Sequence, residues 1–569
     1  MRKQLEEQIR AVLTSAAGSD VAFWLLASVL VLVKLALTSD LPLQIILTPT
    51  DDSMYVERAF HLLSGEAFGP YDSTILVKYP GISLWLAAVR ALGIPFLLSV
   101  DAVYLGAGIY LATGLLSCGA NRWLVLLSFA LYVFNPITLG TEWIRVMREP
   151  LATGLLVAMI GAMSHMLAAR QEGRFPWGHF AVFAVLFPFA LYVREDDRLL
   201  WALLGLFFIA LITQVFSFKL RNWRAIAFAA TAIIIPAGLA KAYEHGLRVF
   251  IEDHYGLPIL HDFSEGEFPR LLAAIRGIHT AKDNRMVMVT QEAIQKLRSE
   301  VPAFRPVAER LPRPGPGTYS CRLQGVCSEW SNGWMPFWVK DEAFRAGLTP
   351  SLPAAQAYYK NVRIGIEQAC AQRRLQCSYK GHGLIPPMEL RWTKAYVVEA
   401  WRLAKWALMP AITRVSGVPV VYNVPLDLGR IYQAVTMTSY FDTQLQAGFG
   451  VSPATRQYEN PIAPWRDELF APIRVVGALL IIAAFAALVI RLGIADRAAL
   501  TPLALVAVIF GLYALFRLAV LSYVAVYMGQ FAPRIVYSTY ALSIILALPF
   551  LEETIRALRT TRRQEPALI

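Results

Sequence analysis

The densest group of residues able to do chemistry follows the first apolar run, at Thr48-Pro49-Thr50-Asp51-Asp52-Ser53-Met54-Tyr55. Adjacent carboxylates repel, so keeping both ionised requires a cation, an arginine or a substrate proton beside them. In a group transfer, one carboxylate could take a proton from an acceptor hydroxyl while another group supports a leaving phosphate. The alternative is structural: Asp is a favoured helix N-cap, and the pair could simply open the helix-like stretch 55–63 in solvent. Lys78-Tyr79-Pro80-Gly81 then places a cation and a rigid turn where the chain becomes apolar again.

Two further charged turns interrupt apolar sequence. Glu142-Trp143-Ile144-Arg145-Val146-Met147-Arg148-Glu149-Pro150 mixes both signs, and Arg194-Glu195-Asp196-Asp197-Arg198 is five charges in a row. Such charge between apolar runs is costly unless it reaches water or pairs internally. An ordinary solvated turn closed by its own salt bridges is one reading. A metal or phosphate site built on Glu195, Asp196 and Asp197 is the other, and oxygen ligands would favour Mg²⁺, Mn²⁺ or Ca²⁺ over zinc. Arg517 sits inside an apolar run and Arg534 opens the next one after Gln530-Phe531-Ala532-Pro533. Guanidinium suits bidentate phosphate contact; snorkelling of Arg517 to the headgroups is the structural alternative. Lys34 and Lys241 read as interfacial anchors. Trp330, Trp334 and Trp338 could stack on sugar rings, or equally sit at an interface or in a core. There is no phosphate-cradling Gly-Lys-Ser/Thr loop, no Gly-x-Ser-x-Gly elbow and no His-Glu-x-x-His, and the histidines have no ligand spacing.

These residues must be positioned by membrane helices. Of 569 residues 56% are hydrophobic and 17% charged, more apolar surface than a soluble chain can hide. Apolar runs lie at 21–37, 82–96, 99–117, 123–139, 151–168, 179–193, 199–216, 225–240, 475–490, 500–521 and 535–551, and about 20 residues span the hydrocarbon. The first reads as a signal anchor rather than a cleaved leader. The expected fold is an α-helical polytopic membrane protein of about 10–12 transmembrane helices, divided into an N-terminal transmembrane module (1–242), a large mainly helical extracytoplasmic domain (243–466) and a C-terminal transmembrane module (467–569).

The net charge of +12 could suggest nucleic acid, but its placement argues against that partner. Arg2, Lys3, Arg10, Lys219, Arg221, Arg224, Arg491, Arg497, Arg556, Arg559, Arg562 and Arg563 cluster at span ends, as cytoplasmic loops require. They put 243–466, 194–198 and 142–149 outside. Eight spans starting inside would instead leave 243–466 inside. One run between 82 and 139 therefore fails to cross, and 82–96, short and broken by Gly93 and Pro95, is the weakest.

Within 243–466, stretches 268–278, 291–297, 354–375 and 394–408 have helical apolar spacing, and some pieces are expected to rest on the bilayer. Cys321, Cys327, Cys370 and Cys377 form two close pairs. In an oxidising compartment they point most simply to Cys321–Cys327 and Cys370–Cys377, with other connectivities and free thiols open. Cys118 reads as packing.

One span, an outer acidic motif, a juxtamembrane helix and a Lys/Pro element before the next span resemble the GT-C superfamily of polyprenyl-phosphate-sugar glycosyltransferases, including protein mannosyltransferases and aminoarabinose transferases. Asp51/Asp52 and Lys78-Tyr79-Pro80 carry the resemblance over roughly the first 240 residues; Pro80-Gly81 departs from the double proline common in aminoarabinose transferases. The resemblance implies sugar transfer from a polyprenyl-phosphate donor to an envelope glycan, lipid or protein acceptor, at the outer face of a bacterial inner membrane. Asp51, Asp52 and Glu142 would be catalytic. Lys78, Tyr55, Arg148, Glu149, Arg194, Arg517 and Arg534 would bind substrate, and a divalent cation, Mg²⁺ or Mn²⁺, is the one cofactor left room for. A non-enzymatic scaffold for envelope polysaccharide, docking through 243–466, is the competing expectation. A secondary transporter would usually carry an inverted repeat, and neither half resembles the other.

Overall fold

The computed structural model describes residues 16–38, 41, 43, 45, 51–140, 142–171, 175–217, 223–279, 284–316, 318–378, 385–410, 426–438, 465–493, 501–529 and 533–564. Residues 1–15, 46–50, 219, 221, 382, 497 and 530–532, and with them several basic span-end residues, lie outside this set, as does the side chain of Asp197.

The chain is a polytopic helical membrane protein. Nine helices come first: α1 (Ala16–Thr38), α2 (Asp51–Leu63), α3 (Gly81–Ala91), α4 (Phe96–Ser117), α5 (Arg122–Val133), α6 (Arg148–Gln171), α7 (Trp177–Ala190), α8 (Leu200–Ser217) and α9 (Trp223–Tyr255). The middle of the chain holds α10 (Phe268–Arg276), α11 (Gln291–Glu300), α12 (Arg305–Arg310), α13 (Tyr319–Gln324), α14 (Met335–Arg345), α15 (Leu352–Ala371), α16 (Thr393–Leu408) and α17 (Leu426–Thr436); α18 (Trp465–Gly493), α19 (Pro502–Met528) and α20 (Tyr537–Gln564) close it. Among the described residues eight helices are long and apolar enough to cross a membrane, and three shorter apolar ones, in α3, α7 and α8, accompany them.

The helix ends follow local chemistry. Asn121 caps α5 by accepting from Trp123 and Leu124, and Thr501 caps α19 with Pro502 behind it. Gly93, at φ +72°, and Pro95 stop α3 after 11 residues, so it rises roughly 16 Å against ~30 Å of hydrocarbon. At the centre α4 and α6 pack backbone to backbone: a Cβ on Gly161 would lie 3.0 Å from Leu111 N, and one on Gly114 3.0 Å from Gly161 O. Small residues permit that approach where no hydrophobic effect drives helices together. The outer faces of α1 and α18 expose Leu25, Leu32, Leu479 and Phe485, as lipid contact requires.

The expected boundary at 242/243 falls inside α9, which continues unbroken to Tyr255. Beyond it a separate core forms around Phe268, Leu271, Val301, Phe304, Tyr359 and Ile366. It carries a short antiparallel pair, β1 (Val287–Val289) with β2 (Trp330–Ser331). Both expected disulfides, Cys321–Cys327 and Cys370–Cys377, are present. Helix α16 lies on α19 and exposes Val397, Val398 and Trp401, an amphipathic face of the expected kind.

Two contacts tie this domain to the membrane helices. Val77 belongs to its core, and Asp262 N donates to Leu76 O at 2.9 Å. At the end of α19, three successive carbonyls accept from domain side chains: Arg285 Nε on Val526 O (3.0 Å), Asn332 Nδ2 on Tyr527 O (3.1 Å), and Gln324 Nε2 on Met528 O. Terminal carbonyls of a helix have no partner of their own. Here another part of the chain supplies the cap.

Candidate active site

Asp51 and Asp52 occupy the first turn of α2, where the helix dipole favours carboxylates. Consecutive helical residues point about 100° apart, and the pair separates accordingly. Asp52 is 0% exposed and accepts from Arg145 Nη2 at 2.6 Å and Nε at 2.9 Å. Asp51, 19% exposed, faces Lys78 Nζ at 3.5 Å and Arg148 Nη2 at 3.1 Å. Glu195 closes this second group into a ring through Arg148 and through Lys78 at 3.7 Å.

A chain of alternating charges leads inward from there. Arg145 Nη1 donates to Glu142 at 3.0 Å, and Arg534 Nη1 reaches the same oxygen at 2.6 Å. Arg534 Nε lies 3.3 Å from Glu149, whose Oε1 is 3.7 Å from Arg194. Arg194 holds Asp196 at 2.8 Å, and Arg517 Nη2 reaches Asp196 Oδ2 at 2.8 Å while also donating to Ser538. Arg148 stands over the Tyr55 ring at 5.8 Å. Thus Asp51, Asp52, Glu142, Glu149, Glu195 and Asp196 interleave with Lys78, Arg145, Arg148, Arg194, Arg517 and Arg534. Residues hundreds of positions apart converge from the starts of α2 and α6, the segments before α3, α6, α8 and α20, and the middle of α19.

Electrostatics differ across the network. Burial raises the Asp51 carboxyl, but Lys78, Arg148 and Arg534 outweigh it and hold the group well below the carboxylate range. Burial pushes Asp52 up, and Arg145 offsets only part of that. Glu195 is desolvated too, yet Arg148 and Lys78 bring it down to about 2. Glu149 Oε2 and Tyr55 Oη are buried and find no hydrogen-bond partner among the described residues.

Several positioning residues carried no sequence signal. Arg58, buried on α2, donates to Lys78 O (3.0 Å) and Thr74 O, fixing the turn segment that carries Lys78. Gly81 N bonds Tyr192 O at 2.9 Å, and a Cβ there would fall 2.4 Å from that oxygen. Only glycine fits, which gives Pro80-Gly81 a physical reason. Trp143 Nε1 donates to Asp101 at 3.1 Å and pins the turn that holds Glu142 and Arg145. Lys34 is buried and hydrogen-bonded to Thr138, so it is a packing cation of the helix bundle rather than an interfacial anchor. Lys241 stays exposed beside Glu244.

Glu195 and Asp196, considered above as ligands for a divalent cation, are committed to different cations, and among the described residues no group of three or more His, Cys, Asp or Glu converges. Glu195 and Asp196 therefore form no shared ligand set for a metal among the described residues, and Asp197, the third candidate, has its side chain outside them. Fixed guanidiniums already balance Glu195 and Asp196, so no step below runs through a metal.

No protein-family profile matches the chain, and no curated protein matches it. Two solved structures are similar to it: ArnT from Cupriavidus metallidurans bound to undecaprenyl phosphate (13% identity, 89% of this chain and 77% of that one, TM-score 0.26), and ArnT from the same organism in the apo state (14%, 90%, 78%, 0.26). So distant a likeness assigns no role to any residue here.

Proposed function

We propose that this protein is a membrane glycosyltransferase that moves a sugar from a polyprenyl-phosphate donor to an envelope glycan, lipid or protein acceptor at the outer face of the membrane. The observation that carries this reading is the junction of the ionic network with an apolar groove. A cavity of about 320 Å³ runs between α16, α18, α19 and α20, walled by Phe485, Leu488, Phe510, Leu515, Leu518 and Phe550. Its upper end, at Leu518 and Thr539, adjoins the Arg517–Ser538 contact. From Thr539 to Phe550 it follows α20 for roughly 16 Å. A lipid chain with a phosphate at one end matches an apolar groove ending at guanidiniums.

The outer-face assignment follows from counting crossings. If α3 re-enters without crossing, then α1 and α4–α9 make seven crossings, and a chain starting inside reaches the domain outside. Helices α18–α20 return it inside. The arginine-rich ends then fall in the cytoplasm and the whole ionic network at the outer boundary, in keeping with the positive-inside rule.

The transfer is a single displacement. The acceptor hydroxyl attacks the anomeric carbon, the bond from that carbon to the phosphate oxygen breaks, and the hydroxyl proton passes to Asp51. Lys78 and Arg534, at the open side of the network, take up the charge growing on the departing phosphate. An arriving phosphate competes with Asp51 for Lys78 and Arg148, so donor binding itself relaxes the carboxyl upward and makes it a better base. Asp52, sealed against Arg145, holds the site together instead. Asp51→Asn should lower transfer of a radiolabelled sugar from polyprenyl phosphate by ~10²–10⁴-fold while membrane abundance stays normal. Full activity in that variant would sink the assignment.

A further inference from the structure

The head of the apolar groove carries an arginine that the ionic network does not use. Arg474 lies in α18, one residue before the apolar run that begins at 475. It belongs to the inward stripe of that helix. Gly477, Ala478, Ile481 and Leu488 follow it at helical spacing and are buried or partly buried, whereas Val475, Val476 and Leu479 are exposed as lipid contact requires. Arg474 therefore faces the bundle, and Ile481 and Leu488, further along its stripe, wall the groove. Its height follows from the packing of α18 on α20. A Cβ on Gly477 would fall 2.9 Å from Tyr540 Oη and 3.2 Å from Ile544, and Arg491 meets Glu553, so the two helices run parallel. One turn before Gly477, Arg474 is level with the first turn of α20, where the groove meets the Arg517–Ser538 contact.

This arginine is uncommitted. It makes no hydrogen bond or ion pair among the described residues, and its Nε is buried without a partner. Arg517, at the same height, already holds Asp196 and Ser538. Tyr540, 0% exposed, is near enough for the Arg474 charge to act on it, and its Oη is likewise buried without a partner among the described residues. A guanidinium can only donate, and a phenol O–H beside it also has a proton to give. Both groups therefore lack the same thing, an acceptor. An arginine that faces the inside of a bundle is costly until it has one. The acceptor must also suit a place whose continuation is a hydrocarbon-lined groove. A phosphate on an apolar chain meets both demands, because its oxygens accept from several directions and guanidinium binds them bidentately. We infer that Arg474, with Tyr540 beside it, binds the phosphate of the lipid whose chain lies in this groove. That this lipid is the sugar carrier rests on the transferase reading; the phosphate site does not.

The test is a lipid titration of the full-length chain in detergent, followed by native mass spectrometry, with decaprenyl phosphate, decaprenol and phosphatidylglycerol as probes. Saturable binding of a lipid phosphate is expected. Arg474→Gln should weaken it at least tenfold, Arg474→Lys by less and Tyr540→Phe a few-fold, while decaprenol binding stays the same in all three. The phosphate lipid whose binding the variants weaken, decaprenyl phosphate or phosphatidylglycerol, identifies the source of the phosphate. Arg474→Gln removes no bond among the described residues, so its melting temperature should match the parent's and a loss of affinity is then not a loss of fold. The titration contains no sugar, so its result is independent of the transfer that Asp51→Asn tests. Binding of both phosphate lipids by Arg474→Gln as tightly as by the parent, or an equal fall for decaprenol, would overturn the inference.

Discussion

Arg145→Ala should damage folding more than chemistry. The guanidinium is the charged partner of Asp52, which is fully enclosed and accepts from it at 2.6 and 2.9 Å. Removing it leaves a carboxylate with no water and no counter-charge in contact. Breaking a buried pair from one side costs about 3–5 kcal/mol. An independent route gives a similar figure: neutralising a carboxyl of ordinary pKa 3.8 at pH 7 costs about 4 kcal/mol at ~1.36 kcal/mol per unit, and burial, which already pushes Asp52 up, trims that sum. Glu142, the other partner of Arg145, keeps Arg534 at 2.6 Å and adds little. At ~2.1 cal/mol/K per residue, about 4 kcal/mol is roughly 3–4 °C of apparent Tm for cooperative unfolding of the whole chain. Intrinsic fluorescence melting in detergent would read it. The companion is Asp52→Asn with Arg145→Met, which removes both charges and should recover most of the loss; Asp51→Asn, at the open side, leaves Lys78 and Arg148 paired with Glu195 and should cost less than Arg145→Ala. Arg145→Ala as stable as the parent, or a double variant no better than the single one, would refute the division between a structural Asp52 and a reactive Asp51.

Other outcomes follow from the same geometry. Gln324→Ala and Asn332→Ala each withdraw a side-chain bond from the last carbonyls of α19; about 1–2 kcal/mol should go each time, with faster amide exchange at 526–529, and unchanged exchange would remove the capping argument. Burial holds His261 down to about 4 against an ordinary 6.5. Between those values the unfolded chain binds more protons, so its contribution is full above about pH 6.5 and lost as pH falls toward 4, on the order of 3 kcal/mol. Glu195, held at about 2 against 4.5, adds a second loss as pH falls from about 4.5. Melting against pH should therefore descend below 6.5, and His261→Gln should flatten only the 6.5–4 interval. The disulfides close separations of 6 and 7 residues, so Cys321→Ala with Cys327→Ala should cost about 2 kcal/mol by chain entropy; a loss above ~4 would mean the bridge also holds the folded geometry.

The sequence pattern carried the helices well because their signals are local. The apolar runs recur as helices, and the break at Gly93 and Pro95 marks the short α3. Charged residues that apolar surroundings penalise, such as Arg517 and the 194–198 turn, were legible for the same reason. Their partners were not. Arg145 reads as one more charge in a mixed turn until folding brings it against Asp52, 93 positions earlier. Arg58 and Asp101 sit among ordinary helical residues, and their partners lie across the fold: backbone carbonyls for Arg58, an indole and the Thr38 hydroxyl for Asp101. The 242/243 boundary was drawn where α9 changes from apolar to polar, and the helix runs on from there to Tyr255.

The central domain contributes no member of the ionic network among the described residues, yet the network depends on it. Val77, next to Lys78, lies in the domain's core, Asp262 N holds Leu76 O, and His261 packs against Tyr79 with ring centroids 5.0 Å apart. On the other side the domain caps the helix that carries Arg517. Removing it would free Lys78 toward Asp51 and Glu195 and let the end of α19 fray. Loss of function on deleting the domain is therefore expected of an enzyme as much as of a docking scaffold, and cannot separate them. A single-atom change can. Asp51→Asn keeps the size of the side chain, leaves the domain and its two anchor points untouched, and removes only a negative charge and a proton acceptor at the open side of the network. A scaffold would tolerate it, whereas a transferase that uses Asp51 as its base would not.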